Sequence, residues 1–342
     1  MRDITSTQLV KEMHLGWNLG NTLDAHAKDV TGLEVETCWG NPKTTQAMID
    51  RLIEDGIDVF RIPVTWRNHF KEEEGYPIDP VWMARVKEVV DYAYNRGKFV
   101  ILNLHHEHWD FPSEENKPEA LRRVKALWTQ IGTNFADYDE KLIFECLNET
   151  RKIGTPVEWN EGDEEGRRVI RSYMEEFVKT VRGLSGNNPK RHLMVSGYAT
   201  ACAYDSLKEV YVPEKDDKII ATVHAYIPYD FALRIGEGER KEWNHDTAAI
   251  DDMMKNLEEL FINKGTPVII GEFGAMSRDN EEDRCEWVDY YVSAAKKIGA
   301  PCLWWDNNSF YGEGELLGLF KREDLTFPFP KLYQAFLKAG LK

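Results

Sequence analysis

Short apolar runs, each closed by a polar or aromatic residue, alternate along the chain with longer stretches whose apolar positions recur every three or four residues. Runs of strand length fall at 13–18, 57–63, 99–105, 142–148, 192–196, 219–224, 267–272 and 301–305. Helical periodicity occupies 44–54, 81–96, 118–136, 165–184, 248–264, 281–298 and 331–337, with a short segment at 204–210. Near-continuous apolar strands separated by amphipathic helices are the pattern of a parallel sheet covered by helices. Eight such alternations predict an α/β fold, a single (β/α)8 TIM barrel. An open doubly wound sheet is the alternative, and it would place a Gly-rich phosphate loop after its first strand. Here Gly16-Trp17-Asn18-Leu19-Gly20-Asn21 lacks the third glycine and a following helix.

At 342 residues the chain suits one barrel with loop insertions, so residues 1–342 read as one domain. No stretch reads as a linker, repeat or low-complexity tract. The Gly- and charge-rich segments 154–163, 234–245 and 311–315 all follow predicted strands, where a barrel carries its active-site loops. The net charge of −16 argues against nucleic acid and anionic membrane as partners. Eleven Trp and fourteen Tyr supply flat rings beyond the needs of a core. The five cysteines, Cys38, Cys146, Cys202, Cys285 and Cys302, are odd in number and widely spaced, which argues against a disulfide framework. Met1-Arg2-Asp3-Ile4-Thr5-Ser6 has no apolar signal-peptide core, and no apolar run is long enough to span a bilayer. The chain therefore reads as cytoplasmic, or as a mature or trimmed catalytic portion. A monomer is expected.

Candidate chemistry comes from what ends each strand. The fourth run closes in Asn148-Glu149 and the seventh in Gly271-Glu272. A buried carboxylate without a partner or a task is costly, and the strand C-termini of a barrel are where chemistry sits. Around these two glutamates the other strands contribute Asn21, Arg61, His105-His106-Glu107-His108-Trp109, His224-Ala225-Tyr226 and Trp304-Trp305-Asp306-Asn307. Two carboxyls suit glycoside hydrolysis, in which one protonates the leaving oxygen and the other attacks or activates water. Arg61 can hold one glutamate ionised and Tyr226 can donate to it, while the other needs a raised pKa. His224 can tune that proton. Asn148 can bond a sugar hydroxyl, and Trp305 can floor a sugar ring.

These residues carry a resemblance. The chain resembles glycoside hydrolase family 5, within clan A of the (β/α)8 barrels. The matching pieces are residues 16–24, Glu36-Thr37-Cys38-Trp39-Gly40-Asn41-Pro42, Arg61-Ile62-Pro63-Val64-Thr65-Trp66, Leu102-Asn103-Leu104-His105-His106-Glu107, Asn148-Glu149, His224-Ala225-Tyr226, residues 271–276 and residues 304–307, in family order. The subgroup most resembled contains endo-β-1,4-glucanases, some active on xyloglucan or mixed-linkage glucan. The resemblance implies a secreted, cofactor-free, retaining endo-β-1,4-glucanase with a β-glucan substrate and no metal. It implies Glu149 as acid/base and Glu272 as nucleophile. Arg61, His105, Asn148, His224, Tyr226 and Trp305 match supporting residues, and His106 a substrate contact. It also implies a non-proline cis peptide after Trp305. One departure stands out: Thr150 follows Asn-Glu where the family usually has Pro.

Plainer readings remain beside these. Either glutamate could be a structural ion pair. Glu145 shares strand parity with Glu149, and a buried hydrogen-bonding role is expected of it. By the same parity Asn148 and Glu149 reach one site only if the strand bends or bulges there. His106-x-His108, His224 and Asp306 resemble the ligand set of metal-dependent barrel hydrolases, but the His-x-His follows the third strand rather than the first. Among the loop tryptophans 39, 66, 109 and 243, which either pack or meet sugar, Trp39 and Trp109 are taken with Asn21 as substrate-binding. Other outcomes on the same scaffold are a xyloglucanase, lichenase or β-mannanase, or an inactive glycan-binding barrel.

Overall fold

The computed structural model describes residues 1–341. Eight parallel strands close on themselves in sequence order: β1 (Leu15–Leu19), β2 (Val59–Ile62), β3 (Phe99–Asn103), β4 (Leu142–Glu145), β5 (Leu193–Val195), β6 (Ile219–His224), β7 (Val268–Phe273) and β8 (Cys302–Asp306). The ring is completed by β1 pairing with β8, Trp17 opposite Trp304 and Asn18 opposite Trp305. Ahead of β1 lies α1 (Ser6–Val10). The strands are separated by α2 (Gln46–Glu54), α3 (Pro80–Tyr94), α4 (Lys117–Asn134), α5 (Glu164–Arg182), α6 (Tyr204–Leu207), α7 (Tyr229–Ala232), α8 (Ala248–Leu260) and α9 (Glu281–Lys297), and α10 (Pro330–Leu341) follows β8. This is the (β/α)8 barrel that the alternation predicts.

The helices form where apolar spacing and end signals agree. In α5 the buried residues Val169, Ile170, Tyr173, Met174, Phe177 and Val181 recur at helical spacing and face the sheet. Asp163 caps its start by accepting from Gly166 N at 2.8 Å, with Glu164 and Glu165 in the first turn and Lys179 and Arg182 in the last. The short α1 is held by a capping box between Thr5 and Gln8. It sends Leu9 and Val10 into the apolar cluster that fills the lower barrel, with Val59, Ile101, Ile143, Met194, Ile220, Ile269 and Leu303. Gly16 leaves the room that Leu303 occupies; a Cβ there would lie 2.3 Å from Leu303 Cγ.

Two residues further along the strands, the interior turns polar. Asn18, Arg61, Asn103, Glu145 and Thr222 replace the apolar residues and are all essentially inaccessible to solvent. The barrel thus has a dry apolar floor and a hydrogen-bonded upper layer that supports the rim.

The differences from the sequence reading are local. β4 leaves the ladder after Glu145 instead of continuing to residue 148, and the helical stretch 248–264 divides into α8 and a 3-10 turn at Ile262–Lys264. The expected cis peptide after Trp305 is not found. β8 stays in register with β1 through Asp306, and among the described residues the cis bond is Ile227–Pro228. All five cysteines are free thiols, with Cys146 and Cys302 buried in their strands. Among the described residues no helix is long and apolar enough to cross a membrane.

Candidate active site

The rim chemistry is built on Arg61. It lies at the end of β2, fully buried, and every terminal nitrogen has an acceptor. Nε and Nη2 donate to the two oxygens of Glu145 at 2.6 and 3.0 Å. Nη2 also donates to Asn148 Oδ1 at 2.8 Å, and Nη1 donates to Asn18 Oδ1 at 3.0 Å and to Glu272 Oε1 at 2.6 Å. Asn18 is itself fixed by donating to the Gly271 carbonyl at 2.9 Å. Glu145 is therefore the structural counter-ion of the guanidinium, in the buried role its parity suggested.

Glu272 reaches this cluster through a register shift. Between Val223 and His224 of β6 the partner on β7 advances from Ile270 to Glu272, so Gly271 is an extra residue, a bulge that re-aims the strand end. Only glycine fits there, since a Cβ would lie 2.7 Å from Thr222 Oγ1 and 3.2 Å from His224 Nε2. This bulge on β7 is an irregularity that the apolar pattern does not announce. At Asn148 and Glu149 no bulge is needed, because β4 has already ended and the chain turns freely. Thr150 pins this turn: its hydroxyl donates to Asp110 Oδ2 at 2.5 Å and its carbonyl accepts from Ala199 N at 2.9 Å.

Glu149 and Glu272 face each other across His224. The His224 Nδ1 is 2.8 Å from Glu149 Oε1 and 3.5 Å from Glu272 Oε1. A carboxylate oxygen of each glutamate and the imidazole nitrogen all lie within 4.8 Å of one another. Tyr226 donates its hydroxyl to the other oxygen of Glu272 at 2.9 Å. Burial pushes both carboxyls above the ordinary carboxylate range. At Glu272 the contacts with His224, Arg61 and Tyr226 oppose that push. At Glu149 the nearest cation is Arg151, 3.8 Å from Oε2. Burial lowers the His224 pKa to about 4, so the imidazole beside Glu149 is neutral near neutral pH.

The remaining predicted residues form a wall beside this pair. Trp305 and His105 stack with ring centroids 5.6 Å apart and planes 3° from parallel. His105 Nδ1 lies 3.1 Å from the Asn103 amide, which fixes the ring. His106 packs edge-on to His105 at 4.4 Å and close to Trp39 at 5.9 Å. Trp39 is 39 % exposed and donates its indole N–H to the His26 carbonyl at 2.9 Å. Asn21 sits in a tight turn at φ 56°, its amide donating to Asp24 Oδ2 at 3.0 Å. Trp109 is held differently: its indole donates to Glu107 Oε2 at 2.7 Å and its ring packs partly against the core. Trp66 and Trp243 are buried.

Among the described residues two groups could offer three ligand atoms to a metal: Asp24, His105 and His106, and the rim set Glu149, His224 and Glu272. The set His106, His108, His224 and Asp306 is not assembled. Asp306 instead accepts from the Trp17 indole at 2.7 Å and from Phe320 N at 2.9 Å, and His108 is 2.5 Å from an Arg67 nitrogen.

The sequence reading passed over Asn18, Asn103 and Arg151. The two asparagines sit inside apolar strands, where an amide is a signal of its own: it needs partners when buried. Arg151 gave no such signal.

A parallel eight-stranded barrel with a buried Glu272 on β7 and a part-buried Glu149 just past β4, facing each other at the C-terminal rim, is the architecture of a barrel glycoside hydrolase. The family model described as Cellulase (glycosyl hydrolase family 5) matches residues 23–311. The chain belongs to glycosyl hydrolase family 5. It is 46 % identical over 343 residues to Endoglucanase B of Neocallimastix patriciarum, covering 99 % of this chain and 72 % of the relative. It is 47 % identical over 336 residues to Endoglucanase 1 of Ruminococcus albus, covering 97 % and 81 %. A solved broad specificity endoglucanase from Ruminococcus champanellensis with bound cellotriose superposes with a TM-score of 0.94 at 42 % identity, covering 98 % of this chain and 99 % of that one.

Proposed function

We propose that this family 5 enzyme is a retaining endo-β-1,4-glucanase in which Glu272 is the nucleophile and Glu149 the acid/base. The observation that carries the assignment is the spacing of the two carboxyls, whose nearest oxygens lie within 4.8 Å of each other. Retaining glycosidases hold their carboxyl groups about 5–5.5 Å apart, whereas inverting ones leave about 6.5–9.5 Å for a water.

In the first step a Glu272 oxygen bonds to the anomeric carbon as the glycosidic bond breaks, and Glu149 gives its proton to the leaving oxygen. In the second, Glu149 takes a proton from water as that water attacks the anomeric carbon and frees Glu272. Contact with Arg61 and Tyr226 keeps Glu272 ionised, so the proton shared by the pair resides on Glu149. A neutral His224 holds Glu149 in place without the positive charge that would strip its proton. Asn148, locked by Arg61, is set to meet a sugar hydroxyl. Trp305 stacked on His105 forms the floor under the reacting sugar, and His106, Trp39 and Asn21 extend it toward the glycone. Trp109 lines the third-strand loop beside them. A neutral, hydroxyl-rich polysaccharide suits a chain of net charge −16. The breadth reported for the Ruminococcus champanellensis relative supports acceptance of several β-glucans.

The test is reducing-end release from carboxymethylcellulose, barley β-glucan, xyloglucan and mannan, with product stereochemistry followed by NMR. Cleavage of β-1,4-glucans with the β configuration retained is expected. Inversion overturns Glu272 as nucleophile, and faster cleavage of mannan than of glucan overturns the substrate.

A further inference from the structure

Asp24 is a buried carboxylate on the turn after β1, and among the described residues no basic side chain forms an ion pair with it. Its oxygens accept from the backbone N–H groups of Asn21 and Thr22 at 3.0 and 2.6 Å. Each oxygen keeps a further lone pair. His105 and His106, just past β3, bring two imidazoles to the same place. One ligand atom from each of the three residues lies within 4.8 Å of the other two. His26 stands against them, its ring 5.3 Å from that of His106. A buried negative charge faced by nitrogen donors, with no cation beside it, is an arrangement that a metal ion completes.

The donor set selects the ion. Two imidazoles and one carboxylate suit a borderline transition metal such as Zn²⁺, whereas Mg²⁺ and Ca²⁺ take oxygen shells. Zn²⁺ bonds of about 2.0–2.2 Å put neighbouring donors of a tetrahedral shell roughly 3.4 Å apart. Side-chain rotation closes a 4.8 Å spread to that spacing, and the fourth position falls to His26 or to water. His108 is not drawn in, because its Nδ1 is 2.5 Å from an Arg67 nitrogen. The rival group at the rim is less suited to a cation. Its Glu272 already has the Arg61 guanidinium at 2.6 Å, and its His224 is engaged with Glu149 at 2.8 Å.

Ligation of His105 carries a cost that decides the role of the site. Its Nδ1 accepts from the Asn103 amide at 3.1 Å. A metal at Nδ1 displaces that donor, and a metal at Nε2 forces the ring proton onto Nδ1, against the same N–H group. Either way one buried hydrogen bond is lost, so the site suits an ion that comes and goes rather than a resident one. The ion would also fix the wall beside the reaction centre, since His105 stacks on Trp305 at 5.6 Å and His106 lies 5.9 Å from Trp39. We infer that Asp24, His105 and His106 form a reversible inhibitory site for Zn²⁺. Binding of the ion stands apart from the proposed activity; only its effect on turnover rests on that reading.

The experiment titrates chelator-treated enzyme with ZnCl₂ by calorimetry without substrate, then follows hydrolysis of a dinitrophenyl cellobioside over the same range. One Zn²⁺ is expected to bind per chain and to raise KM while kcat stays unchanged. EDTA should restore the rate, and Mg²⁺ should have no effect. His106→Gln is expected to weaken Zn²⁺ binding about tenfold or more. Asn103→Asp still accepts from Val64 N, as the Asn103 oxygen does at 3.1 Å, and offers an acceptor to His105 Nδ1–H. It is expected to tighten binding about tenfold. Glu149→Gln should leave the affinity unchanged. Loss of binding in Glu149→Gln with binding kept in His106→Gln would put the ion at the rim and overturn the site. So would the absence of saturable binding to wild type, or binding indifferent to both His106→Gln and Asn103→Asp. Anomalous scattering from wild-type crystals grown with Zn²⁺ tests the site without any variant: a peak between Asp24 and His106 supports it, and a peak only elsewhere refutes it. Binding with no rise in KM overturns the inhibitory role. If Zn²⁺ binds as described but wild type does not hydrolyse the aryl cellobioside, the metal site stands and the proposed activity falls.

Discussion

Arg61 Nη1 lies 2.6 Å from Glu272 while the rest of the same guanidinium grips Glu145 in a bidentate fork. One buried cation thus serves both a carboxylate that holds the fold and the one proposed as nucleophile. Removing it leaves two buried carboxylates without a counter-charge. Arg61→Met is expected to lower stability by about 3–5 kcal/mol, read as a drop in the calorimetric Tm. It should lower kcat/KM on β-glucan by about a hundredfold or more. Arg61→Lys restores the charge without the fork and should recover more stability than activity.

The bulge at Gly271 makes a separable prediction. Gly271→Ala brings a Cβ against Thr222 Oγ1, and the strand end carrying Glu272 must yield. A displacement of the nucleophile by about 1 Å costs on the order of a hundredfold in kcat. Thr222 Oγ1 is buried without a hydrogen-bond partner among the described residues, so Thr222→Ala should be mild alone. The double variant Gly271→Ala/Thr222→Ala is expected to regain much of the lost kcat, a coupling that a double-mutant cycle measures.

The two carboxyls should give a bell-shaped pH–rate profile. Burial raises the pKa of Glu149, so it keeps its proton to higher pH, and the rate falls only as pH rises through that value. The acid limb reports protonation of Glu272, which removes the nucleophile. Glu149→Gln should abolish the alkaline limb on a dinitrophenyl cellobioside, which leaves without a proton. On unactivated β-glucan the same variant should lose about a thousandfold or more in rate. A surviving alkaline limb would assign that ionisation to another group.

His69 links pH to stability away from the site. It is buried, stacks on Trp82 at 3.7 Å, and neither ring nitrogen has a partner among the described residues. Burial lowers its pKa to about 4 from 6.5. A folded-state pKa below the unfolded value means stability present above about pH 6.5 and lost as pH falls toward 4. At pH 5 the penalty is about 2 kcal/mol. His69→Phe keeps the stack and removes the titration, so its Tm should gain on wild type progressively between pH 7 and 4.5.

The fold was legible because each barrel strand is a short apolar run and each helix an amphipathic one, and those periods differ. The site was legible where a polar residue breaks an apolar run, as at Arg61, His224 and Glu272. What stayed hidden depends on register and on loops. The one-residue shift at Gly271 that turns Glu272 into the cluster has no signature in the apolar pattern of its strand. Parity asks for a bend or bulge at Asn148 and Glu149, and the chain does turn there because the strand has ended at Glu145. Thr150 read as a neutral replacement for proline, yet its hydroxyl ties the turn to Asp110. Arg151 carries no sequence signal because its contacts with Glu149 are properties of loop conformation, which no period encodes.

The division between a strand-borne polar layer and the loops above it has an engineering consequence. Asn18, Arg61, Glu145, His224 and Glu272 all sit on strands of the closed barrel and hold one another. Trp39 sits on the loop after β1 and shares none of those bonds. The loop after β1 can be exchanged between homologous barrels as a cassette without touching that cluster, whereas the loop after β4 cannot, because it carries Glu149 and its Arg151 contact.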